Sequence, residues 1–149
     1  MFNLIEYQDS HLDMINLRRA EGIDYRVDRS VIQMMIKHTG GDGLVMTIEK
    51  DGVILGIAGY YPIWVKGLEV WVIPAEEAFS PMFRISYIKA VKTLLQNVIK
   101  VIAPVRIQLT AIADETHDRW CSWLGFTKEG TMRKFSPSGA TYNLWARVI

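Results

Sequence analysis

The chain has 149 residues and a formal net charge of +1, from 17 lysines and arginines against 16 aspartates and glutamates. Its length suits one compact domain with a hydrophobic core, and its balanced charge gives no electrostatic case for nucleic acid or an anionic membrane as a partner. The single cysteine, Cys121, excludes an internal disulfide and a cysteine-based zinc site.

We expect one domain that spans residues 1–149 and works in the cytoplasm. The N-terminus has no basic segment followed by an apolar one, so no signal peptide is expected. The longest apolar runs, such as residues 52–65, contain glycine and proline and are too short to span a bilayer. The sequence has no metal-ligand cluster, P-loop, nucleophile elbow or dinucleotide fingerprint.

The first third of the chain predicts a strand and two helices. Residues 2–7 alternate in hydrophobicity, which is typical of a strand. Ser10 suits the N-cap of a helix that begins near His11, and Gly22 marks its expected end. A second helix is expected from Ser30 to His38, where a glycine-rich segment ends it.

Three strands are predicted next. Residues 44–63 form two of them, joined by a tight turn at Asp51 and Gly52, where glycine readily takes a positive φ. Residues 68–74 form the third strand, which ends at a proline.

The longest predicted helix follows this third strand. Ser80 suits its N-cap, and Pro81 suits the first helical position, whose N–H needs no partner. Apolar residues at three- and four-residue spacing mark its buried stripe: Ile88, Val91, Leu95, Val98 and Ile102.

The C-terminal part predicts a strand, a short helix and two more strands. Residues 105–112 alternate as a half-buried strand does. The short helix follows, and strands at residues 126–135 and 141–148 flank a Ser-Pro-Ser-Gly turn. The complete order is β-α-α-β-β-β-α-β-α-β-β, which predicts an α/β domain with a mixed central sheet flanked by helices.

Residues 114–135 carry a family resemblance. They contain an aromatic-rich helix, a Leu-Gly-Phe ending at 124–126 and a Lys-Glu-Gly at 128–130. With the order of elements, this segment resembles the C-terminal motif of the GCN5-related N-acetyltransferase (GNAT) family. The resemblance implies a GNAT-like acyltransferase domain over the whole chain.

A narrower similarity concerns three short segments. The Glu-Gly-Ile-Asp at residues 21–24, the helix start at 80–84 and residues 114–126 are similar to small acetyltransferase-like proteins of short-tailed bacteriophages. That group includes a protein associated with virion assembly. This similarity implies the host cytoplasm or the virion as the location.

The family resemblance implies that acetyl-coenzyme A binds where two parallel strands separate. Free backbone groups of one strand would pair with the pantetheine arm of the cofactor, which requires no particular side chain. The alternative is an ordinary core strand. The strand residues concerned are Val70, Trp71, Val72 and Ile73.

The resemblance also implies a pyrophosphate site at the start of the long helix, where unpaired N–H groups and the helix dipole attract anions. Residues 74–86 contain no glycine, although glycine lets the backbone approach phosphate closely. Glu76 and Glu77 would repel the anion unless they point away. Arg84 is either an anion ligand or a solvated helix residue. The candidate ligands are Ser80, Met82, Phe83 and Arg84.

Transfer of an acetyl group to an amine benefits from a general base. Glu69, on the candidate cofactor strand, is the first candidate. If it is not the base, Glu69 is a carboxylate at a strand edge that faces water. His117 is the second candidate, because its pKa lies near the working range. Its alternative is a surface residue or a helix cap.

Two further positions are compared with the family motif. The family commonly has a tyrosine four residues before the helix-ending glycine, and it protonates the leaving thiolate. Cys121 stands there and is either a proton donor or a packing residue. Asp114 occupies the position of a family asparagine that contacts the cofactor, and it can also simply cap the helix.

Three functions stay open at this stage. The first is an N-acetyltransferase that moves an acetyl group from acetyl-coenzyme A to a primary amine of a protein or small molecule. The second is a non-catalytic phage protein that keeps the fold as a virion-assembly or host-binding module, with a protein partner. The third is a generic α/β binding protein.

The tryptophans give two further expectations. Trp71, Trp120 and Trp123 are expected to form one aromatic cluster. Trp64 lies on a predicted loop where the family resemblance places the acceptor entrance, and it is either part of a recognition surface or a satellite of the core.

Overall fold

A computed structural model describes residues 1–17, 19–20, 23–24, 29–41 and 43–149 of the chain. Its elements are β1 (Asn3–Glu6), α1 (Asp9–Met14), β2 (Arg19–Ala20), β3 (Ile23–Asp24), α2 (Arg29–Thr39), β4 (Leu44–Lys50), β5 (Val53–Trp64), β6 (Gly67–Pro74), α3 (Arg84–Ile102), β7 (Arg106–Ile112), α4 (Glu115–Trp123), β8 (Thr127–Met132) and β9 (Tyr142–Val148). The predicted order is confirmed, and the short antiparallel pair of β2 and β3 is an addition. Within the described ranges, no helix is long and apolar enough to cross a membrane.

Seven strands form one mixed sheet in the order β1-β4-β5-β6-β7-β9-β8. Neighbouring strands are antiparallel except β6 and β7, which run parallel and are connected through α3. Ile57 and Ile73 pack with residues of α1 and α2 on one side of the sheet, here called the α1–α2 face. Ile107 packs with residues of α3 and α4 on the opposite side, the α3–α4 face. The predicted α/β class with a mixed sheet flanked by helices is confirmed.

The turn between β4 and β5 has the geometry that its sequence predicts. Asp51 and Gly52 have φ angles of 51° and 79°. Two successive left-handed residues are what a tight hairpin of this kind requires, and Asp-Gly is a favoured pair for it. The predicted hairpin is therefore confirmed.

Helix α4 ends in a Schellman motif at Gly125. This glycine has a φ of 89°, and its amide donates to the Ser122 carbonyl at 3.0 Å. The Phe126 amide donates to the Cys121 carbonyl, also at 3.0 Å. Glycine is favoured here because it alone adopts a left-handed conformation without a steric penalty. The motif turns the chain directly into β8.

The first helix is shorter than predicted and begins elsewhere. It starts at Asp9 with Gln8 as N-cap, so Ser10 lies inside the first turn and is not the cap. It ends at Met14, and Gly22, the predicted end, lies outside the described residues. Helix α2 agrees with its prediction to within one residue at each end.

The long helix also begins later than its Ser-Pro pair predicts. Residues Glu76–Phe79 first form a 3-10 turn, and α3 starts only at Arg84 with Phe83 as N-cap. The Ser80 hydroxyl donates to the Glu77 carbonyl at 2.7 Å. Ser80 therefore caps the preceding turn with its side chain, and the predicted N-cap of α3 is wrong.

Candidate active site

Strands β6 and β7 separate after a short stretch of pairing. Their parallel ladder has three residue pairs, of which the last joins Glu69 and Gln108. Beyond this pair, β6 continues to Pro74 bonded to β5, and β7 continues to Ile112 bonded to β9. The sheet therefore opens into a V, here called the split, with the Glu69–Gln108 pair at its apex. Among the described residues, no strand pairs with the β7 side of β6 beyond Glu69.

A cleft of about 1010 Å³ occupies the split and continues between α3 and α4. Its walls include residues of both faces of the sheet. The four strand residues predicted to contact the cofactor all line it, namely Val70, Trp71, Val72 and Ile73. So do four residues of the helical stripe that was predicted to be buried, namely Ile88, Val91, Leu95 and Val98. Of these four only Leu95 is fully buried, because this face of α3 lies partly against the cleft.

The predicted site residues are divided between the cleft and its surroundings. Arg84, His117 and Cys121 line the cleft. The remaining predicted residues lie outside its lining, namely Glu69, Ser80, Met82, Phe83 and Asp114. The structure thus brings the strand backbone and one face of α4 together, and it places the candidate base at the apex.

Glu69 lies on a central strand and is half-buried. Burial raises the pKa of its carboxyl group above the ordinary value, while a hydrogen bond from Gln108 and the charge of Arg106 act in the opposite direction. A carboxyl with a raised pKa is better matched to taking a proton near neutral pH than an ordinary one. The alternative of a water-facing strand-edge carboxylate does not hold.

Glu69 is linked to a chain of side chains that sequence reasoning missed. The Arg106 Nε donates to the Gln108 Oε1 at 3.0 Å. The two terminal nitrogens of Arg106 donate to the two carboxylate oxygens of Glu129 at 2.6 and 3.1 Å. We call Glu69, Gln108, Arg106 and Glu129 the apex network. The sequence signal for Arg106 and Gln108 is the polar half of the alternation in β7.

Aromatic and amide groups surround the apex on the α1–α2 face. Tyr61 pairs with Glu69 across β5 and β6, and burial and the charge of Glu69 raise the pKa of its phenol. The His38 ring lies edge-on to the Tyr61 ring, with 4.9 Å between centroids. The Trp71 indole N–H donates to the Thr39 Oγ1 at 3.0 Å, which fixes this ring against α2.

The predicted cluster of three tryptophans is wrong. Trp71 lies on the α1–α2 face, whereas Trp120 and Trp123 stack on the α3–α4 side with ring centroids 5.8 Å apart. Trp120 also lies nearly parallel to Tyr87 of α3, with 6.0 Å between centroids. These aromatic rings form a wall between α3 and α4. Trp64, at the end of β5, is 51% exposed.

The N-terminus of α3 offers a partial anion site. The Ser80 carbonyl accepts from the amides of Phe83 and Arg84 at 3.2 and 2.9 Å. The predicted Phe83 amide is therefore already occupied, whereas no acceptor for the Met82 amide is found among the described residues. Arg84 is exposed at the first helical position. Lys50, a residue that sequence reasoning missed, donates to the Ser86 Oγ at 2.8 Å and adds a second positive charge.

The two glutamates before α3 make different contacts with Asn16, which follows α1. The Glu77 Oε1 accepts from the Asn16 Nδ2 at 3.1 Å. Its Oε2 is buried and has no hydrogen-bond partner among the described residues. Glu76 is exposed, and its backbone amide donates to the Asn16 carbonyl at 2.9 Å. The contact with Asn16 gives Glu77 a structural role and lessens its expected repulsion of an anion at α3.

Asp114 and His117 form a capping pair at the start of α4. The Asp114 Oδ1 accepts from both the backbone amide and the ring Nδ1 of His117, each at 2.7 Å. The capping alternative for Asp114 is therefore confirmed. Asp114 lies six positions after the apex residue Gln108, just beyond the end of β7 and at most about 20 Å along the chain at the usual rise of a strand. His117 and Glu69 thus lie at opposite ends of the split.

Cys121 is 1% exposed and packs in the core with Leu95 and Phe126. Burial, with smaller contributions from the charges of Asp118 and Asp114, raises the pKa of its thiol to about 12. A thiol with this pKa is a poor proton donor to a leaving thiolate, whose pKa lies near the ordinary thiol value of about 8.5. The geometry therefore favours the packing alternative for Cys121.

Comparison with known proteins gives structural neighbours only. No protein-family model and no curated protein matches the sequence. A mutant of the spermidine N-acetyltransferase from Vibrio cholerae superimposes with a TM-score of 0.70 at 12% identity, covering 98% of this chain and 94% of that one. The ribosomal-protein-S5-alanine acetyltransferase from Vibrio fischeri gives 0.65 at 16% identity, covering 99% and 92%. A GNAT-family acetyltransferase from Bacillus anthracis gives 0.70 at 12% identity, covering 99% and 94%.

The chain therefore has the GNAT fold, with a seven-stranded mixed sheet flanked by helices. At this level of identity the likeness concerns the fold, and activity has to be argued from the site. The narrower similarity to phage proteins has no support in these comparisons and stays a prediction.

Proposed function

We propose that the chain is an acetyl-coenzyme A-dependent N-acetyltransferase that transfers an acetyl group to a primary amine. The observation that carries the proposal is the split between β6 and β7, with a half-buried carboxyl at its apex. Its structural neighbours include N-acetyltransferases named for spermidine and for a ribosomal protein. These two names cover a small molecule and a protein, so the proposal leaves the acceptor at the level of a primary amine.

The residues present fit the cofactor in part. The β7 side of β6 beyond Glu69 offers backbone groups without a partner strand to a pantetheine arm. Arg84, Lys50 and the Met82 amide offer positive charge and a donor to a pyrophosphate. The poorest part of the fit is the glycine-free segment from Pro74 to Ser86.

In the proposed reaction Glu69 acts as general base. Bound acetyl-coenzyme A supplies a thioester carbonyl activated for attack. Glu69 takes the proton that the amine loses as the N–C bond forms and the C–S bond breaks. Cys121 would not supply the proton that the departing sulfur needs, because its thiol is a poor donor. Solvent would supply that proton, and Glu69 would return the proton taken from the amine to solvent. Transfer is direct, with no covalent enzyme intermediate.

The first test is isothermal titration of the protein with acetyl-coenzyme A. Micromolar binding supports the proposal, and a screen of polyamines and peptides with an N-terminal alanine then identifies the acceptor. Arg84→Ala should weaken this binding, and Arg133→Ala is its matched control, because Arg133 is exposed on the turn after β8. Absence of binding at millimolar cofactor contradicts the proposal.

The glycine-free start of α3 favours a second candidate function. In that case the fold serves as a non-catalytic module for virion assembly or host binding, with a protein partner. This candidate also accommodates the buried Cys121 at the position of the family tyrosine. It predicts a folded protein that binds no acetyl-coenzyme A, so the same titration separates the two functions.

A further inference from the structure

The apex network crosses four neighbouring strands, and the pairing of these strands determines which of its side chains meet. Gln108 is the parallel partner of Glu69 on β7, and both side chains lie on the α1–α2 face. Arg106 lies two residues earlier on the same face of β7, within reach of Gln108. Its guanidinium extends over β9 to Glu129 on β8. Ala146, the buried residue of β9 paired with Gln108, is small enough to leave this path open.

A bulge in β8 places Glu129 in this position. The ladder between β8 and β9 shifts register between Lys128 and Gly130, which leaves Glu129 as the extra residue. Bulges redirect a side chain and are frequent beside active sites. Glu129 thereby meets Arg106 in a two-pronged ion pair, although the two residues belong to strands that are not neighbours.

The hydrogen-bond chemistry fixes the orientation of the Gln108 amide. An arginine Nε only donates, so the atom of Gln108 that faces Arg106 must be its carbonyl oxygen. The NH₂ group of Gln108 is then left for Glu69, its pairing partner on β6, and a hydrogen bond from Gln108 lowers the pKa of that carboxyl. A rotated amide would present its oxygen to the Glu69 carboxylate and favour the protonated acid.

We propose that Arg106 and Glu129 are positioning residues, which hold the Gln108 amide with its NH₂ group towards Glu69 and thereby set the proton affinity of Glu69. Arg106 acts on Gln108 directly, and Glu129 acts through Arg106. The inference rests on the proposed function only in giving Glu69 the role of base. The arrangement itself is a property of the free protein.

The charges around Glu69 allow positioning to be separated from through-space charge. Among the described residues, Tyr61 pairs with Glu69 across β5 and β6, and the charge of Arg106 lowers the pKa of Glu69. His38 packs on Tyr61, and Glu129 binds Arg106. Through-space charge and positioning predict opposite effects for Glu129. Loss of a nearby negative charge favours ionised Glu69, whereas loss of the Gln108 donor favours protonated Glu69.

The test is an NMR titration of the Glu69 side-chain carboxyl carbon in protein labelled with ¹³C-glutamate. The Glu69 signal is assigned by its loss in Glu69→Gln. We expect the titration midpoint to move to higher pH in Gln108→Leu, in Arg106→Met and in Glu129→Leu. Arg106→Lys keeps the charge without the two-pronged contact and should restore the midpoint only in part. Glu6→Leu, on the exposed edge strand β1, is the charge-matched control.

The Glu129→Leu variant distinguishes positioning from through-space charge. Because Glu129 is exposed, its replacement leaves the core intact. A midpoint that moves to lower pH means that only through-space charge is felt, and an unchanged midpoint means that Glu129 is not coupled to Glu69. Either result overturns the proposal. The titration needs no cofactor or acceptor, so its failure is distinguishable from failure of the acetyltransferase proposal, which the cofactor titration decides.

Discussion

The apex of the split and the N-terminus of α3 are built in different ways. At the apex, Gln108, Arg106 and Glu129 are joined by side-chain hydrogen bonds of 2.6 to 3.1 Å, and Gln108 is the parallel pairing partner of Glu69. At the start of α3, the chain makes a 3-10 turn, the Ser80 carbonyl binds the amides of Phe83 and Arg84, and the Arg84 side chain is exposed. The first region is held by side chains that bind one another, whereas the second consists of backbone groups, the exposed Arg84 and Lys50.

This difference has a consequence for the two halves of the proposed reaction. Proton transfer depends on the apex network, whose geometry is already set. Cofactor binding depends on α3 and on the open edge of β6, where no glycine lets the backbone approach phosphate. If the chain does not catalyse acetyl transfer, the glycine-free start of α3 points to weak cofactor binding as the reason.

The largest expected effect tests the apex. Glu69→Gln should lower turnover by about 10²- to 10⁴-fold, because general-base catalysis typically contributes that much. The affinity for acetyl-coenzyme A should stay the same, since Glu69 lies outside the lining of the cleft. Initial rates with acetyl-coenzyme A and an acceptor from the screen measure the first effect, and calorimetry measures the second. Turnover equal to that of Glu6→Gln would remove Glu69 from the mechanism.

The apex also shows where sequence reasoning succeeds and where it stops. Glu69 is predicted because it lies on the candidate cofactor strand, out of phase with Val70 and Val72, in the region that the family resemblance gives to the base. Its partners Gln108 and Glu129 are not predicted, because 39 and 60 positions along the chain separate them from Glu69. The strand order β6-β7-β9-β8 brings them together, and the bulge at Glu129 adds a register shift that no local pattern indicates.

Tight turns and helix ends are predicted well from the sequence, because each depends on the conformation of a few neighbouring residues. The Asp51-Gly52 hairpin and the Gly125 helix end follow from the left-handed conformation that each requires. The Ser80 cap failed because serine hydroxyls bind the backbone equally well in short turns. Trp71 was grouped with the wrong aromatic residues because assignment to a face of the sheet depends on register.

The second prediction concerns the start of α3. Arg84→Ala should weaken binding of coenzyme A about tenfold, as expected for loss of one charge-assisted hydrogen bond. Lys50→Met should act in the same direction. Binding of pantetheine, which lacks the pyrophosphate, should be unaffected by either change. Calorimetry with both ligands measures this, with Arg133→Ala as control. Equal weakening for both ligands would mean that these cations do not contact pyrophosphate.

The third prediction uses the raised pKa of Glu69 as a probe of its burial. Because the native pKa lies above the unfolded value, ionisation of Glu69 costs stability as pH rises through the native pKa. Glu69→Gln removes that cost, so its melting temperature should exceed that of the wild type at neutral pH. The two should coincide near pH 3.5, below the unfolded pKa of about 4.3, where Glu69 is neutral in both states. A difference independent of pH would mean that packing, and not charge, is responsible.

The smallest expected effect separates two roles of Asp114 at the far end of the split. Asp114→Ala should lower stability by about 1 kcal/mol and the melting temperature by about 3 °C, because the cap of α4 is lost. Asp114→Asn should retain most of the stability, since asparagine caps as well as aspartate. Glu115→Ala, exposed one residue later, is the matched control. If Asp114 only caps the helix, calorimetry gives the same coenzyme A affinity for the Asn variant and the wild type. A changed affinity in the Asn variant, which keeps its helix cap, would show that Asp114 also contacts the cofactor. The far end of the split would then contribute a side chain to cofactor binding, just as the apex contributes Glu69 to catalysis.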